Sequence, residues 1–146
     1  MGRDVAIHPM RVEDLSAVFR LGNALYPGSE RRHRPWKEDA VADILSRNLE
    51  FSRTAQIKKK IVGFVIGAVD GRQAVILWTG IDPAVAAPGL EERLVASFID
   101  GLADTAVRSV RIEIPIINGQ LNELFDKIGF TEIGRVLIME RILANN

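Results

Sequence analysis

The sequence predicts one α+β domain that spans residues 1–146, and three observations support this prediction. A chain of this length typically folds as a single domain with a continuous hydrophobic core. Apolar residues make up 47% and charged residues 26% of the chain, which is the composition of a globular protein rather than a disordered one. Segments with strand patterns alternate with segments of helical periodicity, and no repeat, linker or low-complexity tract interrupts them.

Composition excludes several classes of function. Lysine and arginine together number 19, as do aspartate and glutamate, so no net field attracts nucleic acid or an anionic membrane, and we expect neither as a partner. The absence of cysteine excludes disulfides, thiolate metal sites and cysteine nucleophiles, and it suits a cytoplasmic protein. The two histidines lie far apart in the sequence, so we predict no metal site. No apolar run is long enough to cross a bilayer.

The first 49 residues are predicted to contain one strand and two helices. Asp4–His8 alternates weakly and ends before Pro9, as a short strand does. Arg11–Leu25 has apolar residues along one side and acidic residues near its start, where negative charge complements the helix dipole. Trp36–Leu49 has an apolar stripe with helical spacing, which predicts the second helix.

Between these two helices, residues 26–35 contain Pro27, Gly28 and the basic cluster Arg31–Arg34. One interpretation of such a cluster is a solvated surface loop. The other is a lid that recognises an anion, because arginines bind carboxylates and phosphates in paired geometry. The sequence leaves both interpretations open.

Three consecutive antiparallel strands are predicted next, over Thr54–Lys58, Lys60–Val69 and Gln73–Ile81. The last of them is apolar and rich in β-branched residues, as expected for a buried strand. A turn within Lys58–Lys60 joins the first strand to the second. Asp70-Gly71 is predicted to be the turn before the third strand, because both of its residues tolerate positive φ.

The strand Gln73–Ile81 leads through a loop into the next helix. The loop Asp82–Gly89 contains two prolines and a glycine, which end the strand. Apolar residues then recur every fourth position from Leu90 to Leu102, on one face of an amphipathic helix. A strand that runs through a glycine-containing loop into a helix can bind phosphate, because the N–H groups of the first helical turn lack intrahelical partners. An ordinary βα unit has the same pattern, so a purely structural role is also open.

The last part of the chain is predicted to contain a strand, a helix and a final strand. Ser109–Pro115 alternates as a strand, and Asn118 is a favourable N-cap for a helix that Gly129 closes at its C′ position. Phe130–Ile142 is predicted to be the final strand. Because Arg135–Ile142 is apolar enough to pair or exchange at a sheet edge, a homodimer is also predicted.

Three short motifs occur in order along these elements. Ile61–Gly67 lies in the second of the three antiparallel strands, and Ile81–Pro83 ends the third. Asn118, Phe125 and Gly129-Phe130 mark the final helix and its end. With the element order β-α-α-β-β-β-α-β-α-β, these motifs resemble the third strand, the Val-x-Pro signature and the Asn…Tyr…Gly-Phe element of the GNAT superfamily of acyl-CoA-dependent N-acyltransferases. The resemblance covers nearly the whole chain.

The resemblance implies a GNAT-like fold, with a mixed, mostly antiparallel sheet of six to seven strands flanked by about four helices. It also implies a slot for acetyl-CoA or another acyl-CoA where the fourth and fifth strands splay apart. The pantetheine arm would pair with the backbone of Thr79–Ile81 like an added strand, and the pyrophosphate would lie on the loop and first helical turn from Ala86 to Glu91. The residues implied to contact the cofactor are Thr79, Gly80, Ile81, Ala86, Ala87, Gly89, Leu90, Glu91, Asn118 and Phe125.

The acceptor implied by the resemblance is a primary amine of a small molecule or a peptide, which attacks the thioester directly. It would enter over the first two helices, past residues 26–36. The residues implied to contact it are Tyr26, Arg31, Arg32, His33 and Trp36.

The cofactor loop departs from the family pattern. The family has Arg/Gln-x-x-Gly-x-Gly/Ala where this chain has Ala86–Glu91, and only Gly89 is retained. Pro88 has no N–H to donate to a phosphate. Glu91 and Glu92 lie at the predicted helix start, where their charge would repel a pyrophosphate.

The resemblance also leaves the catalytic residues unassigned. The family tyrosine that commonly acts as general acid falls on Phe125, which has no proton to donate. Asp82 would lie at the mouth of the slot, where it either steers an amine or caps the loop. Glu113 is an alternative base, unless it pairs with Arg111 on the same face of its strand.

Three functional hypotheses follow. The first is an N-acetyltransferase that transfers an acyl group from acyl-CoA to a primary amine. The alternative is a catalytically inactive GNAT-like module that binds acyl-CoA or another ligand as a sensor, or that binds a partner protein. A third and weaker hypothesis sets the resemblance aside and predicts a small ligand-binding domain whose pocket is framed by Arg31–Arg34.

Overall fold

The computed structural model describes residues 4–25, 43, 46–47, 49–85, 87–114 and 119–143. Within these residues the chain forms five strands, three α-helices and one short 3-10 helix. The strands are β1 (Ala6–Pro9), β2 (Arg53–Ile57), β3 (Lys60–Asp70), β4 (Gln73–Ile81) and β5 (Ser109–Ile112). The 3-10 helix covers Val12–Asp14, and the α-helices are α1 (Leu15–Leu25), α2 (Leu90–Asp100) and α3 (Gly119–Lys127).

The five strands follow one another in the sheet in sequence order, because short turns connect β2, β3 and β4. Neighbouring strands are antiparallel from β1 to β4, and β5 pairs with β4 in parallel after the crossover through α2. Lys58 and Lys59 form the β2–β3 turn at φ 49° and 69°. The predicted turn at Asp70-Gly71 is one residue too early. Asp70 still pairs with Gln73, so the turn residues are Gly71-Arg72.

A β-bulge in β4 changes the face on which its side chains lie. Ile66 pairs with Trp78 whereas Gly67 pairs with Ile76, so Leu77 is an extra residue in β4. Side chains of a regular strand alternate between the two faces, and one extra residue reverses the alternation. Ile76 therefore packs in the core cluster of α2, while Trp78 packs in the cluster of α1.

Each face of the sheet carries a hydrophobic core. The helices approach the sheet closely at two glycines. A Cβ at Gly67 would lie 2.3 Å from the Phe98 ring of α2, and a Cβ on α1 at Gly22 would lie 2.0 Å from the Trp78 ring. The core on the α2 side contains Ala55, Val62, Val65, Ala74, Ile76, Leu90, Leu94, Val95, Phe98, Leu102 and Phe125. The core on the α1 side contains Met10, Val18, Phe19, Phe64, Ile66 and Trp78.

The predicted final strand Phe130–Ile142 is wrong. Residues 131–143 have no regular secondary structure, and each of them is exposed. An alternating apolar sequence becomes a strand only where a neighbouring strand completes its hydrogen bonds. In the described residues the sheet ends at β5, so no sixth or seventh strand is formed.

The number of helices also differs from the prediction. The described residues contain three α-helices instead of about four. The predicted helix Trp36–Leu49 lies mostly outside the described residues; of its described positions, 43, 46 and 47 are helical and Leu49 lies in a turn. The prediction that residues 1–146 form a single domain stays a prediction.

Candidate functional site

The candidate site lies where β4 extends beyond its pairing with β5. β5 pairs with β4 only from Gln73 to Ile76. β4 continues to Ile81, and its second half therefore extends beyond the end of β5. In sheets with parallel strands, ligands bind in the crevice outside the carboxyl ends of the strands. The described structure therefore leaves the second half of β4 without pairing to β5, and the splayed slot that the resemblance implies stays a prediction.

The loop after β4 begins with a turn that Asp82 caps. The N–H of Asp82 donates to the carbonyl oxygen of Val62 at 2.8 Å, which holds the loop against β3. The Asp82 carboxylate accepts from the N–H of Ala84 at 2.9 Å, and its carbonyl oxygen accepts from the N–H of Val85 at 3.0 Å. These bonds are those of an Asx turn. Of the two roles that the sequence leaves open for Asp82, the structure supports the cap.

The loop ends at Gly89, which is the N-cap residue of α2. Its backbone lies in the left-handed region, at φ 80° and ψ 4°, where glycine is favoured over other residues. A Cβ at Gly89 would meet no atom within 4 Å, so the space beside the helix start is open. The strain that a substitution would introduce here is conformational rather than steric.

Two N–H groups at the start of α2 have no acceptor among the described residues. The N–H of Leu90 donates to Ala87 at 3.1 Å, and the N–H of Arg93 donates to Gly89 at 3.0 Å. The N–H groups of Glu91 and Glu92 lie between these two and have no such partner. Donors of this kind, at the positive end of a helix dipole, attract an anion.

The two acidic side chains of the same turn differ in their surroundings. Burial raises the pKa of the half-buried Glu91 carboxyl, so this group holds its proton more strongly than an exposed glutamate does. Glu92 lies 3.5 Å from Lys127 Nζ, which is in the last turn of α3. Lys127 therefore offsets part of the negative charge at the start of α2. The sequence offers no signal for this pair, because 35 residues separate its members.

The end of β4 is closely packed where the pantetheine arm is predicted to lie. Thr79 is buried, and its Oγ1 donates to the carbonyl oxygen of Phe64 at 3.1 Å. A Cβ at Gly80 would lie 2.5 Å from Leu25 Cδ1, so this glycine allows the end of α1 to approach the strand. Ile81 is only partly buried, at the point where the strand gives way to the loop.

Of the two remaining positions considered for a catalytic role, Phe125 is buried in the core and Glu113 is exposed. Phe125 is 1% exposed, belongs to the core beside α2, and contacts the Phe130 ring edge-to-face at a centroid distance of 5.0 Å. Its ring therefore contributes to the packing of α3. Glu113 follows the last residue of β5 and is exposed, as is Arg111 on the same strand.

Several predicted site residues lie outside the described residues. They are the predicted acceptor contacts Tyr26, Arg31, Arg32, His33 and Trp36, and the predicted cofactor contacts Ala86 and Asn118. The residues that the structure brings together at the candidate site are Thr79, Gly80, Ile81, Asp82, Ala87, Gly89, Leu90 and Glu91.

Two arginines that attach α2 to the sheet are also missed by the sequence analysis. Arg53 on β2 donates from Nε to Ser97 Oγ at 3.1 Å, and its terminal nitrogen donates to the carbonyl oxygen of Ser52 at 3.2 Å. Burial lowers the pKa of Arg53. Arg93 donates to the carbonyl oxygen of Val5 at 3.3 Å, just before β1. These bonds fix the position of α2, and they join residues that are distant in the sequence.

The described residues contain neither a cluster of metal-ligating side chains nor a helix suited to span a membrane. No group of three histidine, cysteine, aspartate or glutamate side chains is arranged to hold a metal ion in this part of the chain. None of the described helices combines the length and the apolar character needed to cross a membrane.

No protein-family model matches the chain. Solved structures match it at low sequence identity. Ard1 from Thermoplasma volcanium has a TM-score of 0.75 and 20% identity, with 87% of this chain and 82% of that one covered. The ribosomal-protein-S18-alanine N-acetyltransferase from Escherichia coli has a TM-score of 0.73 and 22% identity, with coverages of 90% and 80%. AAC(6')-Iy, in complex with the bisubstrate analogue CoA-S-monomethyl-acetylneamine, has a TM-score of 0.74 and 19% identity, with coverages of 96% and 99%.

These similarities define the class of fold. The match extends over most of this chain and most of each neighbour. The chain has the GNAT-like α+β fold of acyl-CoA N-acetyltransferases, as the order of its elements and its short motifs predicted. In its described residues the fold is built on five strands and three α-helices.

Proposed function

We propose that the protein transfers an acyl group from acetyl-CoA or another acyl-CoA to a primary amine. The observation that carries the proposal is the start of α2. The N–H groups of Glu91 and Glu92 have no acceptor among the described residues, and they adjoin the open space at Gly89. They follow the part of β4 that extends beyond β5, with the loop of residues 82–89 between the two. AAC(6')-Iy, which shares this fold, was solved with a CoA-containing bisubstrate analogue.

The residues at this site fit an acyl-CoA in two ways. The two N–H donors and the helix dipole suit a pyrophosphate, and Lys127 supplies a cation 3.5 Å from Glu92. The end of β4 at Gly80 and Ile81, beyond the end of β5, suits an extended pantetheine arm. Ala87, Gly89 and Leu90 would line the pyrophosphate. Ala86, Asn118 and Thr79 are proposed to complete the site, and Phe125 to support it from the core.

In this proposal the protein acts mainly by positioning. Bound acyl-CoA supplies a thioester carbonyl that an amine can attack. Phe125 has no proton to donate, and the Asp82 carboxylate is occupied by the N–H of Ala84. Holding two reactants in a productive geometry supplies most of the acceleration of such a transfer, whereas general acid–base assistance adds about 10²–10⁴-fold. We therefore expect a slow enzyme in which water carries the protons, with Glu113 the remaining candidate for a base.

The acceptor is proposed to be an amine of a small molecule or a peptide. Structures that share the fold support both kinds of acceptor, since one contains a bisubstrate analogue with an acetylneamine part and another is named for an alanine of ribosomal protein S18. We assign its contacts to Tyr26, Trp36 and the basic cluster at Arg31, Arg32 and His33. We also propose that the protein acts in the cytoplasm and as a homodimer.

The first test is binding of the cofactor. Thermal unfolding is followed with CoA, acetyl-CoA and longer acyl-CoAs at increasing concentration. At a hundredfold excess over the dissociation constant, a ligand stabilises the fold by about 2.7 kcal/mol, which raises Tm by roughly 5–10 °C for a domain of this size. The absence of any shift with all of these ligands would contradict the proposal.

The second test is turnover. Release of free CoA thiol from acetyl-CoA is measured with a panel of small amines and peptides, and the acylated product is identified by mass. Saturable release that depends on an amine is expected. CoA binding without turnover would instead support the alternative hypothesis of an inactive acyl-CoA sensor, and would overturn the enzymatic one.

A further inference from the structure

The connection between β2 and β3, defined here as the lysine turn, consists of Lys58, Lys59 and Lys60. Lys58 and Lys59 are the two turn residues, and Lys60 begins β3 opposite Ile57. All three lysines are exposed, and none of them forms an ion pair with another described residue. The lysine turn therefore concentrates positive charge that the described part of the chain does not neutralise.

The backbone of the lysine turn is unfavourable for lysine. Lys58 and Lys59 have φ of 49° and 69°, and among the described residues they are the only ones other than glycine with positive φ. Two-residue hairpin turns with positive φ at both positions strongly favour Asn-Gly. Residues held in this region against their preference cluster at sites that bind ligands. The two lysines therefore indicate a role beyond closing the hairpin.

The lysine turn lies at the same end of the sheet as the proposed cofactor site. β3 and β4 are antiparallel, and Gly63 near the start of β3 pairs with Ile81 at the end of β4. Lys60 comes before Gly63 in β3, and at about 3.3 Å per residue the turn projects about 10 Å beyond this pair. The loop after β4 begins beside it, because the N–H of Asp82 donates to the carbonyl oxygen of Val62 on β3.

The start of α2 is held to this same end of the sheet. Arg93, in the first turn of α2, donates to the carbonyl oxygen of Val5 at 3.3 Å. The next residue, Ala6, pairs with Gln56, which lies just before the lysine turn on β2. The lysine turn and the first N–H groups of α2 are therefore at one end of the molecule, on elements that contact the same strands.

The loop of the proposed cofactor site carries no cation of its own. Residues 82–92 contain neither lysine nor arginine, and Lys127 is paired with Glu92. The N–H groups at the start of α2 suit a pyrophosphate, but CoA has a further phosphate on the 3′ oxygen of the adjoining ribose. A phosphate of this kind carries a charge of about −1.5 to −2 at neutral pH. Its binding calls for cations from another part of the chain.

We propose that the lysine turn binds the 3′-phosphate of acyl-CoA and gives the site a preference for CoA over 3′-dephospho-CoA. The inference rests on the proposed function, which puts the pyrophosphate at the start of α2. A lysine ammonium on its flexible stem binds phosphate as a point charge and requires no fixed geometry. Three exposed contacts of this kind together correspond to about a tenfold gain in affinity.

Calorimetry with CoA and 3′-dephospho-CoA tests the assignment, because the two ligands differ only in this phosphate. The wild type is expected to bind CoA about tenfold more tightly. Lys58→Asn/Lys59→Gly removes two charges and gives the turn its preferred sequence. Its midpoint of urea unfolding should equal or exceed that of the wild type, while its preference for CoA falls severalfold. Lys60→Gln, which keeps both turn residues, should also lower the preference.

Arg72→Gln/Arg108→Gln is the matched control. It also removes two exposed charges, but at the opposite end of the sheet, where Gln73 pairs with Ser109. This variant should keep the wild-type preference for CoA. If it lost as much of the preference as Lys58→Asn/Lys59→Gly does, the effect would be one of overall charge, and the assignment would be overturned.

The two ligands also separate this inference from the proposed function. Equal affinity of the wild type for CoA and 3′-dephospho-CoA would overturn the role of the lysine turn and leave the proposed acyl transfer intact. A preference for CoA that persists in both Lys58→Asn/Lys59→Gly and Lys60→Gln would overturn it as well. If neither ligand bound, the proposed function and this inference would both be wrong.

Discussion

At the scale of single residues, Gly89 and Glu91 have opposite effects on the proposed cofactor site. Gly89 gives the chain the left-handed turn from which α2 begins, and the space beside this turn is open. Glu91 places a half-buried carboxyl in the same turn. In the proposed site, the N–H groups at the start of α2 would attract an anion and the Glu91 carboxylate would repel it, so the two together would set the affinity for the anion.

Gly89→Ala is expected to weaken CoA binding by distorting the start of α2. A non-glycine residue in the left-handed region costs about 1–2 kcal/mol, part of which the chain relieves by shifting its backbone. Gly71→Ala is the matched control, since Gly71 also has positive φ and no atom within 4 Å of a built Cβ, but lies in the β3–β4 turn. Both variants should lose similar free energy of unfolding in urea. Only Gly89→Ala should raise the CoA dissociation constant. If Gly89→Ala and Gly71→Ala bound CoA with equal affinity, CoA would not bind at the start of α2.

Glu91→Gln is expected to remove a pH dependence of stability. Burial raises the pKa of Glu91 above its ordinary value of 4.5. A carboxyl whose pKa is higher in the folded chain than in the unfolded chain contributes stability that is complete below the unfolded pKa and is lost as the pH rises through the folded pKa. The wild type should therefore lose stability relative to Glu91→Gln as the pH rises from 4.5. Urea unfolding across this range measures the difference.

The same variant should bind CoA more tightly at neutral pH. Two unit charges about 4 Å apart in water interact by about 1 kcal/mol, so removing the repulsion should lower the dissociation constant about fivefold. Glu13→Gln changes an exposed glutamate in the 3-10 helix and should leave the affinity unchanged. If calorimetry gave the same affinity for the wild type and Glu91→Gln, the pyrophosphate would not lie at this helix start.

At the scale of elements, the packing of α2 on the sheet holds the candidate site in place. Gly67 lets the Phe98 ring lie directly on β3, and Arg53 and Arg93 bind α2 to β2 and to the chain before β1. The bulge at Leu77 places Trp78 against α1 instead of α2. The position of α2 relative to the end of β4 therefore depends on contacts from three parts of the chain.

Gly67→Ala is expected to destabilise the fold by about 1–3 kcal/mol, because overpacking forces side chains and backbone to shift. The added Cβ would lie 2.3 Å from the Phe98 ring. Gly119→Ala is the control, since a Cβ there meets no atom within 4 Å and alanine favours a helix. The midpoint of urea unfolding should fall only for Gly67→Ala. Similar urea midpoints for Gly67→Ala and Gly119→Ala would contradict this prediction, because they would show that the Phe98 ring moves aside without loss of stability.

At the scale of the whole molecule, helices cover both faces of the sheet, and in the described residues the sheet ends at β5. The core beside α2 extends to partly buried side chains near that edge, including Val107, Val110 and Ile112. Residues 131–143 carry exposed apolar side chains such as Leu137 and Met139, which the proposed homodimer would cover in part. The stability of each copy should then depend on the presence of the other.

The Tm of the wild type is accordingly expected to rise with protein concentration. For a folded dimer that unfolds to monomers, a tenfold increase in concentration should raise Tm by about 2–3 °C. The Tm of Val136→Lys should be lower and independent of concentration, because a lysine among the exposed apolar residues of Arg135–Ile142 should prevent the proposed homodimer from forming. Calorimetry over a hundredfold range of concentration makes the comparison. A constant Tm for the wild type would contradict the dimer.

The sequence predicts most of the core of the fold because its signals are local. Gln73–Ile81 and the two strands before it lie within one residue of their predicted bounds, and Gly129 closes α3 as its position predicts. The β3–β4 turn differs by one residue, since turn chemistry alone does not fix the last pair of a hairpin. The bulge at Leu77 has no local signal, because it depends on the packing of both faces of the sheet.

The sequence by itself determined the order of the described elements from β1 to α3 and the loop in which only Gly89 is retained, because these depend on neighbouring residues along the chain. The tertiary structure decided the capping role of Asp82, the pairing of Lys127 with Glu92 and the core position of Phe125. It also decided that residues 131–143 form no strand in the described chain. Each of these depends on residues that are distant in sequence, and a strand in particular depends on a partner that the segment itself does not contain.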